Sequence, residues 1–310
     1  MKYAIISDVH GNHHAFEAVI ADARAQGVDM FLLLGDYTNS FPYGNDVVET
    51  LRKLNPIFAI QGNGEGYLMN LRGQNPLELT HEQFKPVYWG YQTLSHKNYE
   101  YLANLPKAMT ISDLGTEIHL AHTMNLFYRT PEIKLFHSHH RRAMMNSDPF
   151  THAQYLIRAR NALLSCHEAM LEMIQLPKGI YLFGHNHMQF HMEHDGRLFI
   201  NPGSCGEPLD WNTDASYTIL TLSESKWDVA ERRVKYNLDL VADGLVDSGF
   251  SAYAPMWSEI MKLELFSAKD YFMAFVVHVI ETGRKMGFPD VPVNNAVWDV
   301  AVKSWDADVI

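Results

Sequence analysis

Apolar positions in the first hundred residues come in short unbroken runs separated by stretches of helical period. Residues 3–6 (Tyr-Ala-Ile-Ile) form one such run and close on Asp8-Val9-His10-Gly11. That is the pattern of a buried strand ended by a turn. Phe16, Val19, Ile20 and Ala23 then recur on one helical face, and Gly27 follows as a stop. A second run over 30–34 closes on Gly35-Asp36. Strand, helix and strand within this length make a βαβ unit, so the two strands are expected parallel with a right-handed crossover. A short helix over 46–54, a break at Pro56, a strand over 57–60 and Gly62-Asn63 repeat the arrangement. Three successive strands thus deliver Asp8 and His10, then Asp36, then Asn63 to one sheet edge. Open α/β sheets hold their ligands at that edge. Asp8 and His10 are two residues apart and are expected to share a side if strand geometry continues.

Residues 67–105 read as mostly helical, with Pro76 and Pro86 as interruptions. Residues 108–112 and 116–121 read as a hairpin around Asp113-Leu114-Gly115, and the second strand ends in His122. Residues 125–176 read as an insertion. Its first half is polar and carries His137, His139, His140, Arg141 and Arg142; its second half is a helix that Asp148 can cap and Pro149 can begin. A strand over 179–183 ends in Gly184-His185-Asn186-His187. Two more hairpins follow, 189–194 with 197–200 around Asp195-Gly196, and 216–222 with 227–234. The second half of the core is therefore expected to be mainly antiparallel. From 237 onward the period is helical, through 254–265, 269–286 and 293–305. Phe272, Phe275, Val276, Val277, Val279 and Ile280 leave the middle one of these little polar face, which predicts burial all round.

Composition narrows the classes. A chain of 310 residues, 47% hydrophobic, has material for one large domain with additions or for two. A formal net charge of −11 argues against a general nucleic-acid or anionic-membrane binder. Cys166 and Cys205 form no motif. No apolar signal segment precedes the first strand, and the apolar run over 271–280 is too short to span a bilayer, so a soluble cytoplasmic protein is expected. Seventeen histidines invite a search for metal ligands. Carboxylates mixed with imidazoles suit Mn²⁺, Fe or Zn²⁺ better than Mg²⁺ or Ca²⁺.

Taken in order, Asp8-X-His10, Gly35-Asp36, Gly62-Asn63, His122 and Gly184-His185-X-His187 resemble the calcineurin-like metallophosphoesterases. Asn201-Pro202-Gly203-Ser204 resembles that family's small prokaryotic branch of phosphodiesterases and phosphatases. The resemblance covers about residues 2–236. It implies an α/β fold, a four-layer αββα sandwich of two mixed sheets. Here that core would span 1–236 with a helical insertion at about 125–176, and a helical extension over 237–310 would pack on the core or on a partner subunit. A homo-oligomer contact would run through those helices.

The resemblance also implies two divalent or transition metal ions, Mn²⁺ first, with Fe or Zn²⁺ as alternatives. Asp8, His10, Asp36 and His187 would hold one; Asp36, Asn63, His122 and His185 would hold the other. Asp36 would bridge, and Asp36, Asn63 and His122 would take part in the chemistry. That chemistry is hydrolysis of a phosphodiester, phosphomonoester or nucleotide phosphoanhydride by a hydroxide between the ions. The partner is a phosphate-ester small molecule or a nucleotide, with no membrane and no nucleic acid expected. The alternatives are a metal-binding scaffold with little catalysis and a nuclease of the superfamily. Asn12, His139, Arg141 and Arg142 are the candidate substrate contacts, since guanidinium groups suit phosphate.

Two departures stand out. Much of the family has His where this chain has Gly64, followed here by Glu65, and its usual Arg is absent from Tyr37-Thr38-Asn39-Ser40. A missing general acid predicts that rate depends steeply on leaving-group pKa.

Overall fold

In the computed structural model the described residues are 1–124, 166–224 and 226–307, with isolated helical positions between 153 and 165. Strands are numbered in chain order. Lys2–Ile6 (β1), Met30–Leu33 (β2), Ile57–Ala59 (β3), Ala215–Ser223 (β9) and Lys226–Val234 (β10) make one sheet of order β10-β9-β1-β2-β3. Ala108–Asp113 (β4), Thr116–Ala121 (β5), Gly179–Leu182 (β6), Gln189–His194 (β7) and Arg197–Pro202 (β8) make the other, of order β4-β5-β6-β8-β7. β1 pairs parallel with β2, and β2 with β3, as the βαβ reading requires.

Alternation along each strand builds the layers. Tyr3, Ile5 and Leu32 from the first sheet meet Ile118, Leu120, Ile180, Leu182 and Ile200 from the second in one cluster between the sheets. Ala4, Ile6, Phe31 and Leu33 turn the other way, onto Phe16, Val19 and Ile20 of helix His13–Ala25 and Val47, Val48 and Leu51 of helix Gly44–Lys53. Outside the second sheet, Tyr181, Phe183, Phe190 and Phe199 pack with Met173 of helix His167–Met173. The result is a four-layer αββα sandwich. Burial on both faces is why these strands read as continuous apolar runs. Each fully buried Ile or Leu contributes about 1.5–3 kcal/mol.

The second half of the core is mainly antiparallel, as expected, in β4–β5, β7–β8, β9–β10 and β1–β9, and departs from that only in the middle of the second sheet. β5, β6 and β8 run parallel at the centre of their sheet, with antiparallel pairs only at its edges. Hairpin turns leave a local mark: Leu114-Gly115 and Asp195-Gly196 are both pairs with positive φ, as two-residue turns demand. Parallel neighbours joined by long connections leave none. Pro86 likewise begins a helix, Lys85–Thr93, in its first turn instead of interrupting one.

Beyond residue 237 lie the helices Leu238–Asp247, Phe250–Tyr253, Pro255–Ser267, Tyr271–Lys285 and Asn295–Ser304. Trp257, Phe275 and Trp298 sit together in their cluster, which also takes in Phe41 from the loop after β2. Further ties reach earlier residues: Trp257 Nε1–H donates to Glu82 O (2.8 Å), and Asn295 Nδ2–H donates to Thr80 O (2.8 Å). Tyr271–Lys285 is not buried all round. It buries Tyr271, Phe275 and Val279, while Phe272 is 43% exposed. Its neighbours Pro255–Ser267 and Asn295–Ser304 pack against it, and Met273, Val276, Val277 and Ile280 stay half-buried. No helix among the described residues is long and apolar enough to cross a membrane.

Candidate metal centre

The strand ends do converge, by a route that strand periodicity does not describe. β1 stops at Ile6, and Asp8 and His10 take left-handed backbone conformations, with φ of 54° and 50°. Asp36, His185 and His187 do the same, at 54°, 70° and 57°. Five of the seven candidate ligands thus sit where L-residues pay on the order of 1–2 kcal/mol each. Such strain persists where the surroundings over-determine it, and it clusters at functional sites. The surroundings here are backbone hydrogen bonds between the loops: Asp8 N–H to Gly35 O, His10 N–H to Asp36 O and Gly184 N–H to His122 O. His185 N–H also donates to the Asp8 carboxylate (3.0 Å). Gly184 has no room for a side chain, because a Cβ there would collide with Ser7 Oγ and Asp8 Oδ2.

The ligand atoms gather in two groups that share Asp8. Asp8, His10 and His187 form one; Asp8, Asp36 and His122 form the other; within each, the atoms lie within 4.8 Å of one another. His187 Nε2 is 3.5 Å from Asp8 Oδ1 and 3.1 Å from His10 Nε2. Asp36 Oδ2 lies between the groups, 3.3 Å from His122 Nε2 and 3.8 Å from His10 Nε2. The His185 ring stands edge-on to that of His122, with centroids 5.4 Å apart. Asn63 opens the helix Asn63–Asn70 beside them. Asp8 borders both groups, so it shares the central position that the sequence reading reserves for Asp36.

The imidazoles are oriented from behind. His187 Nδ1–H donates to Glu207 O and His122 Nδ1–H to Leu34 O, both at 2.7 Å. Each ring therefore turns an Nε2 lone pair inward, the arrangement that metal-ligating histidines use. His122 Nε2 and Asn63 Oδ1 are buried with no hydrogen-bond partner among the described residues. Such orphaned atoms are rare in a folded protein. The field tells the same story. Burial would raise the Asp8 carboxyl, yet the imidazoles of His187, His10 and His122 hold it well below the usual range. Burial opposes charge on His10 and His122 too, but the facing carboxylates lift them to about 9 and about 10. Burial and His122 instead push His185 down to about 4, keeping it neutral. A site that draws protons onto its imidazoles this strongly draws divalent cations, which would displace those protons. The donor set, the orphaned atoms and the charge all fit a pair of metal ions.

Other residues support the ligands, and of these Glu207 carries no motif signal. Glu207 Oε2 lies 3.7 Å from His10 Nε2 and accepts from Ser40 Oγ (3.3 Å). Asn201 Nδ2–H donates to Gly184 O and Asn186 Oδ1, which braces the His185–His187 turn. Ser204 Oγ–H donates to Asp8 O. The Asn-Pro-Gly-Ser stretch therefore serves as scaffolding. Asn12, expected to touch substrate, is fully buried and already committed: Oδ1 accepts from Ala15 N–H, while Nδ2 donates to Gly206 O and Tyr236 Oη. It caps a helix and ties two loops. His139, Arg141 and Arg142 lie outside the described residues.

Glu264, from the C-terminal helices, is buried and hydrogen-bonded to Glu207. Burial, together with the charges of Glu207 and Asp270, pushes its carboxyl well above the usual range. The folded state thus holds a proton that the unfolded chain loses above about pH 4.3, so stability falls as pH rises between those two values. Glu264→Gln keeps an acceptor for Phe272 N–H and a donor for Glu207, without the titration. It is expected to flatten the stability profile above about pH 5. Parallel melting-temperature profiles for variant and parent from about pH 5 to 8 would discard this account.

The fold has known relatives. The model of the calcineurin-like phosphoesterase superfamily domain matches residues 1–225. An uncharacterised protein of Methanocaldococcus jannaschii is 24% identical over 246 residues, covering 78% of this chain and 91% of its own length. The crystal structure of a metallophosphoesterase from Sphaerobacter thermophilus superposes with a TM-score of 0.60 at 24% identity, covering 86% of this chain and 99% of that one. A hypothetical protein from Pyrococcus horikoshii superposes with a TM-score of 0.58 at 16% identity, over 84% and 97%. At these identities the two structures speak for the shared fold.

Proposed function

The chain belongs to the calcineurin-like phosphoesterase superfamily, whose model matches residues 1–225, and from that premise we propose that it hydrolyses a small phosphate ester or nucleotide with two bound divalent metal ions. The observation that carries the reading is the pair of ligand groups around Asp8 and Asp36, bordered by the orphaned Asn63 Oδ1 and His122 Nε2. When bound, the ions polarise the phosphoryl group and acidify the attacking water. The residues of the chain do the rest. Asp8 and Asp36 supply the negative charge that holds the cations, with Mn²⁺ the best match to mixed oxygen and imidazole donors and Fe or Zn²⁺ next. Glu207 O and Leu34 O fix the His187 and His122 rings. All seven expected ligands are retained, which favours catalysis over a scaffold role. The net charge of −11 favours a small substrate over a nucleic acid.

The test is hydrolysis of a panel of aryl and alkyl phosphate monoesters, diesters and nucleotides by protein reloaded with Mn²⁺, Zn²⁺ or Fe²⁺. Metal-dependent turnover is expected. Metal-replete protein that hydrolyses no member would sink the reading. Within the panel, rate should fall steeply as leaving-group pKa rises, because Gly64 has no acid to offer and general acid help is typically worth about 10²–10⁴-fold. A flat series would mean that another residue supplies the proton. Gly64→His is a poor complementary test. A Cβ at 64 would lie 2.8 Å from Asn39 Nδ2 and 3.0 Å from Asp36 Oδ1, so the new side chain would disturb Asp36 itself.

A further inference from the structure

The segment after Asp36 is held at both ends. Tyr37 is buried, its N–H donates to Glu65 Oε1 and its hydroxyl to Ile60 O (2.8 Å). Ser40 Oγ–H donates to Glu207 Oε2. Between them Asn39 adopts φ 94°, a left-handed value that Asn tolerates better than other residues with a side chain.

The Asn39 carboxamide lies in a slot between two glycines. A Cβ on Gly90 would come within 2.9 Å of Oδ1, and a Cβ on Gly64 within 2.8 Å of Nδ2. Thr38 Oγ1–H donates to Oδ1 (3.2 Å). Nδ2 thus faces Gly64 and the Asp36 side of the metal centre, and it has no acceptor among the described residues. Asp36 Oδ1 is already taken by Gly64 N–H at 2.6 Å. The slot therefore presents a fixed, neutral, unspent N–H donor beside the ligand cluster. Such a donor suits a negatively charged oxygen, and it cannot give up its proton.

We propose that Asn39 positions the substrate by donating a hydrogen bond from Nδ2 to a phosphoryl oxygen of the ester at this centre. The proposal rests on the phosphoesterase reading. It also assigns the work of Gly64 and Gly90: their missing side chains leave the amide its place.

Two variants test it. Asn39→Asp keeps the volume and the tolerance of φ 94° but replaces the donor with an anion. Asn39→Gly removes the side chain and eases the backbone, and it covers the case in which the aspartate does not fold. Inorganic phosphate binding to the metal-loaded protein is measured by calorimetry, and kcat and KM on the best aryl ester by steady-state assay. Metal content and melting temperature are measured alongside. Phosphate affinity and kcat/KM should fall about tenfold or more in Asn39→Gly and about 10²-fold in Asn39→Asp, the scale of losing a preorganised donor to a phosphoryl oxygen. Metal content and melting temperature should stay put. Folded, metal-replete variants that bind phosphate and turn over like the parent would overturn the role of Asn39 while leaving the phosphoesterase reading intact. Variants that shed metal or melt early would assign Asn39 a structural part and overturn the proposal equally. Parent protein that holds metal yet neither binds phosphate nor hydrolyses any ester would overturn the phosphoesterase reading, and this role with it.

Discussion

Asp36→Asn is expected to lower turnover by about 10³-fold or more and to strip metal from both positions of the proposed centre. The Asp36 carboxylate is the group through which the two halves of the cluster meet on the His122 side. Oδ2 lies 3.3 Å from His122 Nε2 and 3.8 Å from His10 Nε2, while Oδ1 accepts from Gly64 N–H. Burial would raise its pKa, but the His122 and His10 imidazoles bring it down to about 2, so it is ionised throughout the neutral range. Asn removes the charge and keeps the volume. It also tolerates the left-handed φ of 54°, where Ala would add backbone strain to the loss of a ligand. Elemental analysis and steady-state kinetics on the same preparation check both halves of the expectation. Parental hydrolysis in the variant would remove Asp36 from the chemistry.

Glu65→Ala should destabilise the fold by about 2–6 kcal/mol, because it orphans two buried backbone donors, those of Asp36 and Tyr37, at about 1–3 kcal/mol each, and leaves the half-buried Gly62 N–H to water. Glu65 is fully buried. Its Oε2 accepts from Asp36 N–H (2.9 Å) and Gly62 N–H (2.8 Å), and its Oε1 from Tyr37 N–H (2.9 Å). The bond to Gly62 is one half of a capping box for helix Asn63–Asn70. The same carboxylate thus starts the helix that carries Asn63 and holds the loop that carries Asp36. Glu65→Gln can keep the two bonds of one oxygen and loses the third, so it should cost roughly 1–3 kcal/mol. Urea unfolding of the three proteins should place the glutamine variant between the other two. An alanine variant as stable as the parent would mean that water or a shifted backbone satisfies those donors.

Much of the candidate site is legible in the chain because its ligands stand at strand ends. An apolar run that stops at Asp8, at Asp36 or at His185 marks both the strand and the place where its edge opens. The βαβ rule then puts the first two at one edge without any tertiary information. Hairpins are legible for a similar reason, since Leu114-Gly115 and Asp195-Gly196 carry their own backbone signature. The two-sided burial of β1 and β2 is legible from their lack of polar positions.

The amino-acid sequence by itself therefore determined the strands, the helices beside them and the order in which Asp8, His10, Asp36, Asn63, His122, His185 and His187 reach the edge. These depend on burial periodicity and turn chemistry, which act over a few residues. Tertiary structure alone decided how they meet. The left-handed turns that aim Asp8 and His10 replace the strand geometry that would set them side by side. The pairing of β5, β6 and β8 brings His122 beside His185. Glu207 reaches His10, and Glu264 reaches Glu207, across segments far apart in the chain. Asn12 is drawn into capping, and Asn39 is left, among the described residues, with an unspent donor between Gly64 and Gly90. A local pattern records how a residue meets water; which polar groups face one another, once water is gone, depends on loops that only the closed sandwich brings together.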